Sequence, residues 1–220
     1  MVRLFGKEPL SYKAIAQVDA YWEGLRAGRP MPDRAEVDPR GLGDALEFAF
    51  LLEHVAPGIG RVRISGMHLR DLLGMEVRGM PLTAFFVPEA RARISRVLES
   101  VVTAPQVADV TLTGERGIGK PLLPARLYLA PLAVEGRASP RILACLESHG
   151  SIGRSPRRFD IEQVQLRRIV ATRGPEPSAE TRAEPRRDAP QPGLAEPAAD
   201  FAHRPATGAG RPHLRLVKDD

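Results

Sequence analysis

The side chains best suited to acid–base or metal chemistry are five histidines and a single cysteine, Cys145. The histidines are His54, His68, His149, His203 and His213. None of them lies at metal-ligand spacing from Cys145 or from paired carboxylates, so the sequence predicts no metal site. Cys145 stands in the apolar run 142–146, where we expect a small core residue rather than a reactive thiol.

Other catalytic motifs are absent from the sequence. There is no glycine-rich phosphate loop with its lysine, and no serine or cysteine nucleophile motif. The glycine cluster 114–119 is not followed by the helix that a dinucleotide site requires, so it predicts a hairpin turn. With no catalytic residues to assemble, we expect the protein not to be an enzyme.

The net charge of +5 and the pI near 9.9 raise the question of nucleic-acid binding. From Arg173 onward eight basic residues face eight acidic ones, so the excess lies earlier in the chain. The sharpest cluster is Arg154, Arg157, Arg158, Arg167 and Arg168. A solvated helix face is the favoured interpretation, because no aromatic residues are interleaved for stacking. A nucleic-acid-associated transcriptional regulator that uses this region is the alternative function.

The first periodic segment, residues 10–28, predicts an amphipathic helix. Its apolar stripe consists of Ile15, Val18, Trp22 and Leu25. The stripe either packs on its own chain or forms a surface for a homodimer or a partner protein, and the pattern leaves both open. In the following segment, Pro30, Pro32 and Pro39 exclude a continuous helix, and we expect Asp33 and Asp38 to cap a connecting loop.

The middle of the chain predicts a hairpin that leads into helices. Phe48–Val55 and Arg61–Ser65 read as strands, with Val62 and Ile64 both on the buried face. A short helix starts at Met67 and ends at Gly74. A longer helix, Pro88–Thr103, starts with a proline in its first turn; its apolar stripe is Ile94, Val97, Leu98 and Val101.

Three further strands are expected at Val107–Thr113, Leu122–Leu132 and Arg141–Glu147. The prolines of the second disfavour a fully paired central position. Asp160 and Gln163 have capping-box spacing, which predicts an exit helix as far as about Thr172. Residues from 173 are rich in proline, alanine and charge, so we expect a disordered tail.

The pattern as a whole predicts an α+β fold, in which an antiparallel sheet carries helices on one face. The expected divisions are an N-terminal helix and connector at 1–45, a core at 46–148, an exit loop and helix at 149–172, and the tail at 173–220. No run of apolar residues suits a signal peptide or a membrane span. With a lone cysteine, this favours a cytoplasmic protein.

Several of these segments resemble a PAS sensor domain. The matching residues are Arg61–Leu69, Leu72–Glu76 and Gly79, in that order. The upstream segments Tyr21–Arg26 and Gly28–Arg34, with Asp38 and Pro39, resemble one bacterial PAS subfamily in particular. The resemblance covers Tyr21 to Glu147. It implies a five-stranded antiparallel sheet and a sensory or interaction module in signal transduction, whose exit helix transmits changes in the core to a signalling partner.

The resemblance also bears on cofactors, since some PAS domains bind haem, flavin or small metabolites. Flavin sensors of this fold carry a cysteine motif on a helix, which this chain lacks. The haem-ligating histidine of related sensors lies on the later, longer helix, which here has none, so we expect neither cofactor. The space between sheet and helices could hold a small apolar ligand or be plain core. Its expected lining is Phe50, Leu52, Ile64, Leu72, Phe85, Ile94 and Leu127.

Overall fold

The computed structural model describes residues 10–104, 106–134 and 139–170. The α-helices are α1 (Lys13–Arg26), α2 (Met67–Leu73) and α3 (Pro88–Thr103). The strands are β1 (Ala49–Ala56), β2 (Ile59–Ser65), β3 (Gln106–Gly114), β4 (Pro124–Leu132), β5 (Arg141–Ser148) and β6 (Phe159–Arg168). Short 3-10 helices lie at Arg34–Glu36, Pro39–Glu47 and Leu82–Phe85.

All strands join one antiparallel sheet of six strands in the order β2-β1-β5-β4-β3-β6. The α+β prediction is therefore confirmed, although the sheet has one strand more than the five expected and α1 lies on the face opposite α2 and α3. Apolar side chains are buried on both faces of the sheet, so each strand of the centre contributes alternate residues to two separate cores.

The inner core lies between the sheet and the helices α2 and α3. The helix α3 buries the stripe predicted for it, and α2 ends at Gly74, whose φ of 71° suits glycine at a helix end. The largest apolar side chains of this core are Phe50, Leu52, Leu69, Leu72, Phe85, Phe86, Ile94, Leu98, Leu112, Leu127 and Phe159.

The outer core lies on the opposite face, where α1 covers β4 and β5. Trp22 is fully buried there, and its indole Nε1 donates a hydrogen bond to the Pro131 carbonyl at 2.9 Å. The carboxylate of Glu147 on β5 accepts from the backbone N–H of Ile15 at 3.2 Å, in the first turn of α1. The negative charge of Glu147 also interacts favourably with the helix dipole at the N-terminal end of α1. The helix is thus fixed to its own sheet.

The connector after α1 is held by the two aspartates predicted to cap it. Asp33 accepts from the N–H of Ala35 at 2.7 Å, and Asp38 accepts from the N–H of Arg40 at 2.9 Å. Each carboxylate satisfies a backbone donor that has no partner inside its short helix. The chain then enters β1 from the helical segment Pro39–Glu47.

The β1–β2 hairpin contains a bulge that reverses part of the predicted pattern. Leu52 pairs with Val62, but the residue that precedes it on β1, Leu51, pairs with Ile64. Arg63 is therefore an extra residue on β2, and every side chain beyond it changes face. Val62 lies in the inner core as expected, whereas the prediction of a buried Ile64 is wrong.

β4 is a central strand in spite of its prolines. It pairs with β5 over residues 125–132 and with β3 over residues 124–129. Pro124 starts the strand, and Pro131 lies beyond the last residue pair with β3, so the proline there removes no bond of that ladder. The strand is thus central, but residues 130–132 pair with β5 alone, so it is not paired on both sides along its whole length, as its prolines led us to expect.

β6 replaces the predicted exit helix. Residues 159–168 pair with β3 along its whole length, and Phe159 and Ile161 enter the inner core. The exit helix from Asp160 to Thr172 is therefore wrong for the residues that the structure describes. Thr172 and the tail at 173–220 lie outside those residues. No helix among the described residues is long and apolar enough to cross a membrane.

Candidate binding surface

An apolar groove opens on the outer face of the sheet, beside α1. It lies over β1 and β2, between the sheet and the segment Pro39–Glu47, and has a volume of about 650 Å³. Its lining is Arg34, Val37, Pro39, Leu42, Leu46, Glu47, Ala49, Phe50, Leu51, Ile64, Ser65, Gly66, Met67 and Leu143. Volumes of this size and apolar character are typical of binding sites. We refer to this feature as the β1–β2 groove.

Large apolar side chains remain exposed in the β1–β2 groove. Ile64 is 57% exposed, Met67 is 61% exposed and Leu46 is 43% exposed. Ile64 is there because the bulge at Arg63 turns it away from the inner core. The helix α1 covers β4 and β5 and leaves the outer face of β1 and β2 open. Contiguous exposed apolar surface of this kind marks interaction sites.

Gly66 sets one wall of the groove. Its backbone N–H donates to the Ala49 carbonyl at 2.9 Å. A Cβ atom at this position would lie 2.0 Å from the Glu47 carbonyl oxygen and 2.3 Å from that of Leu46. Only glycine allows the two backbone segments to approach so closely. The wall that carries Leu46 and Glu47 is therefore fixed against the start of α2.

The charged residues of the groove are Arg34 and Glu47, which stand on its border. The backbone N–H of Arg34 donates to the Ala133 carbonyl at 2.8 Å, which fixes the start of this side chain. Neither charged group forms a salt bridge with another described residue. As far as the described part of the chain shows, each charge is therefore available for an opposite charge on a bound molecule.

The residues predicted to line an internal ligand pocket divide into two sets. Phe50, Leu52, Leu72, Phe85, Ile94 and Leu127 are buried together in the inner core. Phe50 also lines the β1–β2 groove. Ile64 belongs to the groove alone, so its assignment to the internal pocket is wrong. Ligand binding among the other six stays a prediction.

The stripe of α1 lies inside the chain. Ile15, Val18 and Trp22 are buried in the outer core, and Leu25 packs against that core from its border. These side chains hold α1 on its own sheet, so they do not form a free surface for a dimer or a partner. Of the two roles that the sequence left open for them, the structure places them in packing within one chain.

The basic cluster of the sequence does not face the solvent as a unit. Arg157 is fully buried, and its guanidinium donates to the carbonyls of Ile152, Glu115 and Pro121. Arg167 forms salt bridges with Asp19 at 2.6 Å and Glu23 at 2.5 Å. Two of the five arginines are therefore occupied within the chain and do not offer free charge to a phosphate.

The buried titratable groups His68 and Cys145 are poorly suited to catalysis near neutral pH. Burial lowers the pKa of His68 to about 4, and its Nε2 lies 3.0 Å from the Ser148 hydroxyl. Burial likewise raises the pKa of the Cys145 thiol, so it stays protonated. Within the described residues, no group of three metal-binding side chains comes together.

Comparison with known families accounts for most of this architecture. The sequence model of the PAS domain family matches residues 10–147. This range includes α1, the β1–β2 groove, the strands β1 to β4 and all of β5 except its last residue, Ser148. A comparison with curated proteins finds none that matches the chain. The match ends before β6, so the sixth strand extends the sheet beyond the matched region. The chain belongs to the PAS domain family.

Proposed function

We propose that the protein is a non-enzymatic sensory and interaction module of signal transduction that binds a partner protein in the β1–β2 groove. The observation that carries this proposal is the exposed apolar surface of Leu46, Ile64 and Met67, which line the β1–β2 groove of a PAS domain. Burial of one such side chain contributes about 1.5–3 kcal/mol when it is complete. A partner that covers all three therefore gains substantial affinity without any catalytic chemistry.

The shape and chemistry of the groove favour an amphipathic helix as the bound segment. Such a helix places apolar side chains at spacings of three and four into a groove of this kind. Met67 adds a flexible, polarisable side chain that adapts to the shape of the bound surface. The free charges of Arg34 and Glu47 call for an acidic residue near the first and a basic residue near the second.

A small ligand in the inner core is a separate prediction of the PAS assignment. The six buried candidates form one cluster with the residues of α2 and α3, so a ligand there would be enclosed between sheet and helices. A change in that core reaches the groove through Phe50, which belongs to the core and lines the groove. Native mass spectrometry of the purified protein detects such a ligand as mass above that of the polypeptide.

The decisive experiment compares partner capture by the wild type and by groove variants. Ile64→Asp and Met67→Asp place a charge in the groove at exposed positions, so the fold should be retained. We expect proteins bound in the groove to be lost from both variants and kept by Ile118→Asp, a matched control at a loop residue that is 95% exposed. Circular dichroism checks that all variants are folded.

A second step tests the chemistry of the partner. Arg34→Glu should weaken the binding of the same captured protein. A photo-crosslinking residue at position 67 of the PAS domain should form a crosslink to an amphipathic helical segment of that captured protein. If Ile64→Asp and Ile118→Asp capture the same proteins in the same amounts, the groove is not the binding site and the proposal is wrong.

A further inference from the structure

The side chain of Met67 brings an exposed thioether to the wall of the β1–β2 groove. It is 61% exposed and lines the groove together with Ile64 and Leu46. Met67 is the first residue of α2 and follows Gly66, whose close approach to the Leu46 and Glu47 carbonyls fixes this wall. A chemical change to the Met67 side chain therefore changes the surface that a partner meets.

The exposed sulfur atoms of the described part of the chain belong to two methionines. Cys145 is buried, and burial raises the pKa of its thiol, so it carries little of the thiolate that reacts with oxidants. Met31 packs against the outer core and Met80 against the inner core. Met67 and Met75 are 61% and 55% exposed. A dissolved oxidant therefore reaches these two thioethers most readily.

From this geometry we propose that Met67 is an oxidation site, whose conversion to methionine sulfoxide by a hydroperoxide prevents partner binding in the β1–β2 groove. In this reaction the sulfur lone pair attacks one oxygen of the peroxide, so that an S–O bond forms and the O–O bond breaks. The second oxygen leaves as water or an alcohol, with the proton of the transferred oxygen. Sulfur loses two electrons and the peroxide gains them, so no further reactant is needed.

The effect of the sulfoxide should fall on binding rather than on the fold. In the free chain the added oxygen faces water, because the Met67 side chain is mostly exposed. A bound apolar surface removes that water, and among the lining residues only Arg34 and Ser65 have side chains that could donate a hydrogen bond instead. A strong acceptor that is covered without a donor is costly. Oxidation should therefore weaken binding selectively.

The modification is reversible, which suits a regulatory site. Methionine sulfoxide reductases, one for each epimer of the sulfoxide, restore the thioether. A dithiol supplies the two electrons and becomes a disulfide, and the oxygen leaves as water. The inference rests on the proposed function, because it concerns the regulation of binding in the same groove. It adds that a hydroperoxide is the signal to which that binding responds.

Met75 provides a matched control inside the same chain. Its exposure is similar to that of Met67, but it follows Gly74 at the end of α2 and does not line the groove. It lies instead in a separate depression beside the polar residues Arg70 and Asp71. Oxidation of Met75 should therefore leave the groove unchanged.

Partner capture before and after peroxide treatment tests the proposal on the folded, full-length chain. We expect treated wild type and treated Met75→Leu to bind the captured partner more weakly, with Kd raised about tenfold or more. Treated Met67→Leu should keep its affinity, because leucine is apolar and of similar volume but has no sulfur. Methionine sulfoxide reductases with dithiothreitol should restore binding by the oxidised wild type.

Two further measurements show that the effect belongs to Met67 and not to damage elsewhere. Met67→Gln, whose side chain is polar and of similar length, should bind as weakly without peroxide as the oxidised wild type does. Peptide mass spectrometry measures the oxidised fraction at each methionine, and circular dichroism checks that the treated proteins stay folded. Full binding by Met67→Gln would contradict the proposal.

A probe that needs no partner separates this inference from the proposed function. The dye anilinonaphthalene sulfonate fluoresces on exposed apolar surface, and Ile64→Asp identifies the share that is bound in the groove. Peroxide should reduce that share in the wild type and not in Met67→Leu. If the wild type captures no partner through the groove, the proposed function is wrong, and the dye alone decides this inference. Equal effects of peroxide on the wild type and Met67→Leu would overturn it.

Discussion

At the scale of single residues, the buried Arg157 holds together two loop segments that contain no helix or strand. Its guanidinium reaches three carbonyls from two segments of chain, 115–121 and 152. A Cβ at Gly114 would lie 2.8 Å from its Nη2, so glycine makes room for the side chain. Arginine suits this task because its planar group carries five donors in a fixed arrangement.

Arg157→Ala should therefore destabilise the fold. The substitution leaves a cavity and removes the donors from three carbonyls, which should lower the free energy of unfolding by about 3 kcal/mol. Urea unfolding followed by circular dichroism measures this change. Arg154→Ala, at an exposed arginine of the same region, should change it by less than about 0.5 kcal/mol. Equal stability of the two variants would show that Arg157 is not a structural anchor.

His68 should make stability depend on pH in the acidic range. Its pKa is about 4 in the folded chain and 6.5 when unperturbed, because burial disfavours the charged imidazolium. Between these values the unfolded chain binds the proton and the folded chain does not, so stability falls as the pH decreases from 6.5 to 4. The loss from this group should be about 3 kcal/mol.

The measurement that isolates His68 compares unfolding free energies of the wild type and His68→Gln across that pH range. Glutamine keeps a polar group near the Ser148 hydroxyl, which lies 3.0 Å from Nε2, but cannot take up the proton. The variant should show a shallower decline in stability between pH 6.5 and 4. If both proteins decline with the same slope, His68 is not the group responsible.

At the scale of elements, the regular helices and the first hairpin could be predicted from the sequence. The helix Pro88–Thr103 has the predicted bounds because its apolar residues keep a helical period and a proline occupies its first turn. The helix Met67–Leu73 ends at Gly74 as predicted, because glycine readily takes the positive φ found there. Local sequence is therefore sufficient to predict an element whose structure is determined by its own residues.

The errors arise at two β-bulges, where pairing with a neighbour decides the pattern. The bulge at Glu162 moves the apolar residues of β6 from a spacing of two to a spacing of three, between Ile161 and Val164. A spacing of three is also typical of a helix, and the sequence contains no mark of the bulge. The bulge at Arg63 has the same effect on Ile64, whose exposure in the groove could not be predicted from alternation alone.

At the scale of the whole molecule, the central strands are shared by two cores. Tyr128 illustrates the outer side, since its hydroxyl donates to Asp19 of α1 at 2.8 Å while its neighbours in β4, Leu127 and Leu129, enter the inner core. Disruption of either core exposes one face of the same strands. The inner and outer cores should therefore unfold together. This should hold although α1 is not part of the sheet and is held on it by side-chain packing and polar contacts.

The fluorescence of Trp22 measures this coupling directly, because Trp22 is the single tryptophan and its side chain extends from α1 into the outer core. In urea, its fluorescence transition should coincide in midpoint and slope with the transition of the far-ultraviolet circular dichroism, which reports the helices and strands together. As an internal check, Ile94→Ala in the inner core should shift both midpoints equally, with a loss of about 2–5 kcal/mol. An earlier Trp22 transition would mean that α1 leaves the sheet first and that its buried stripe becomes available to other proteins.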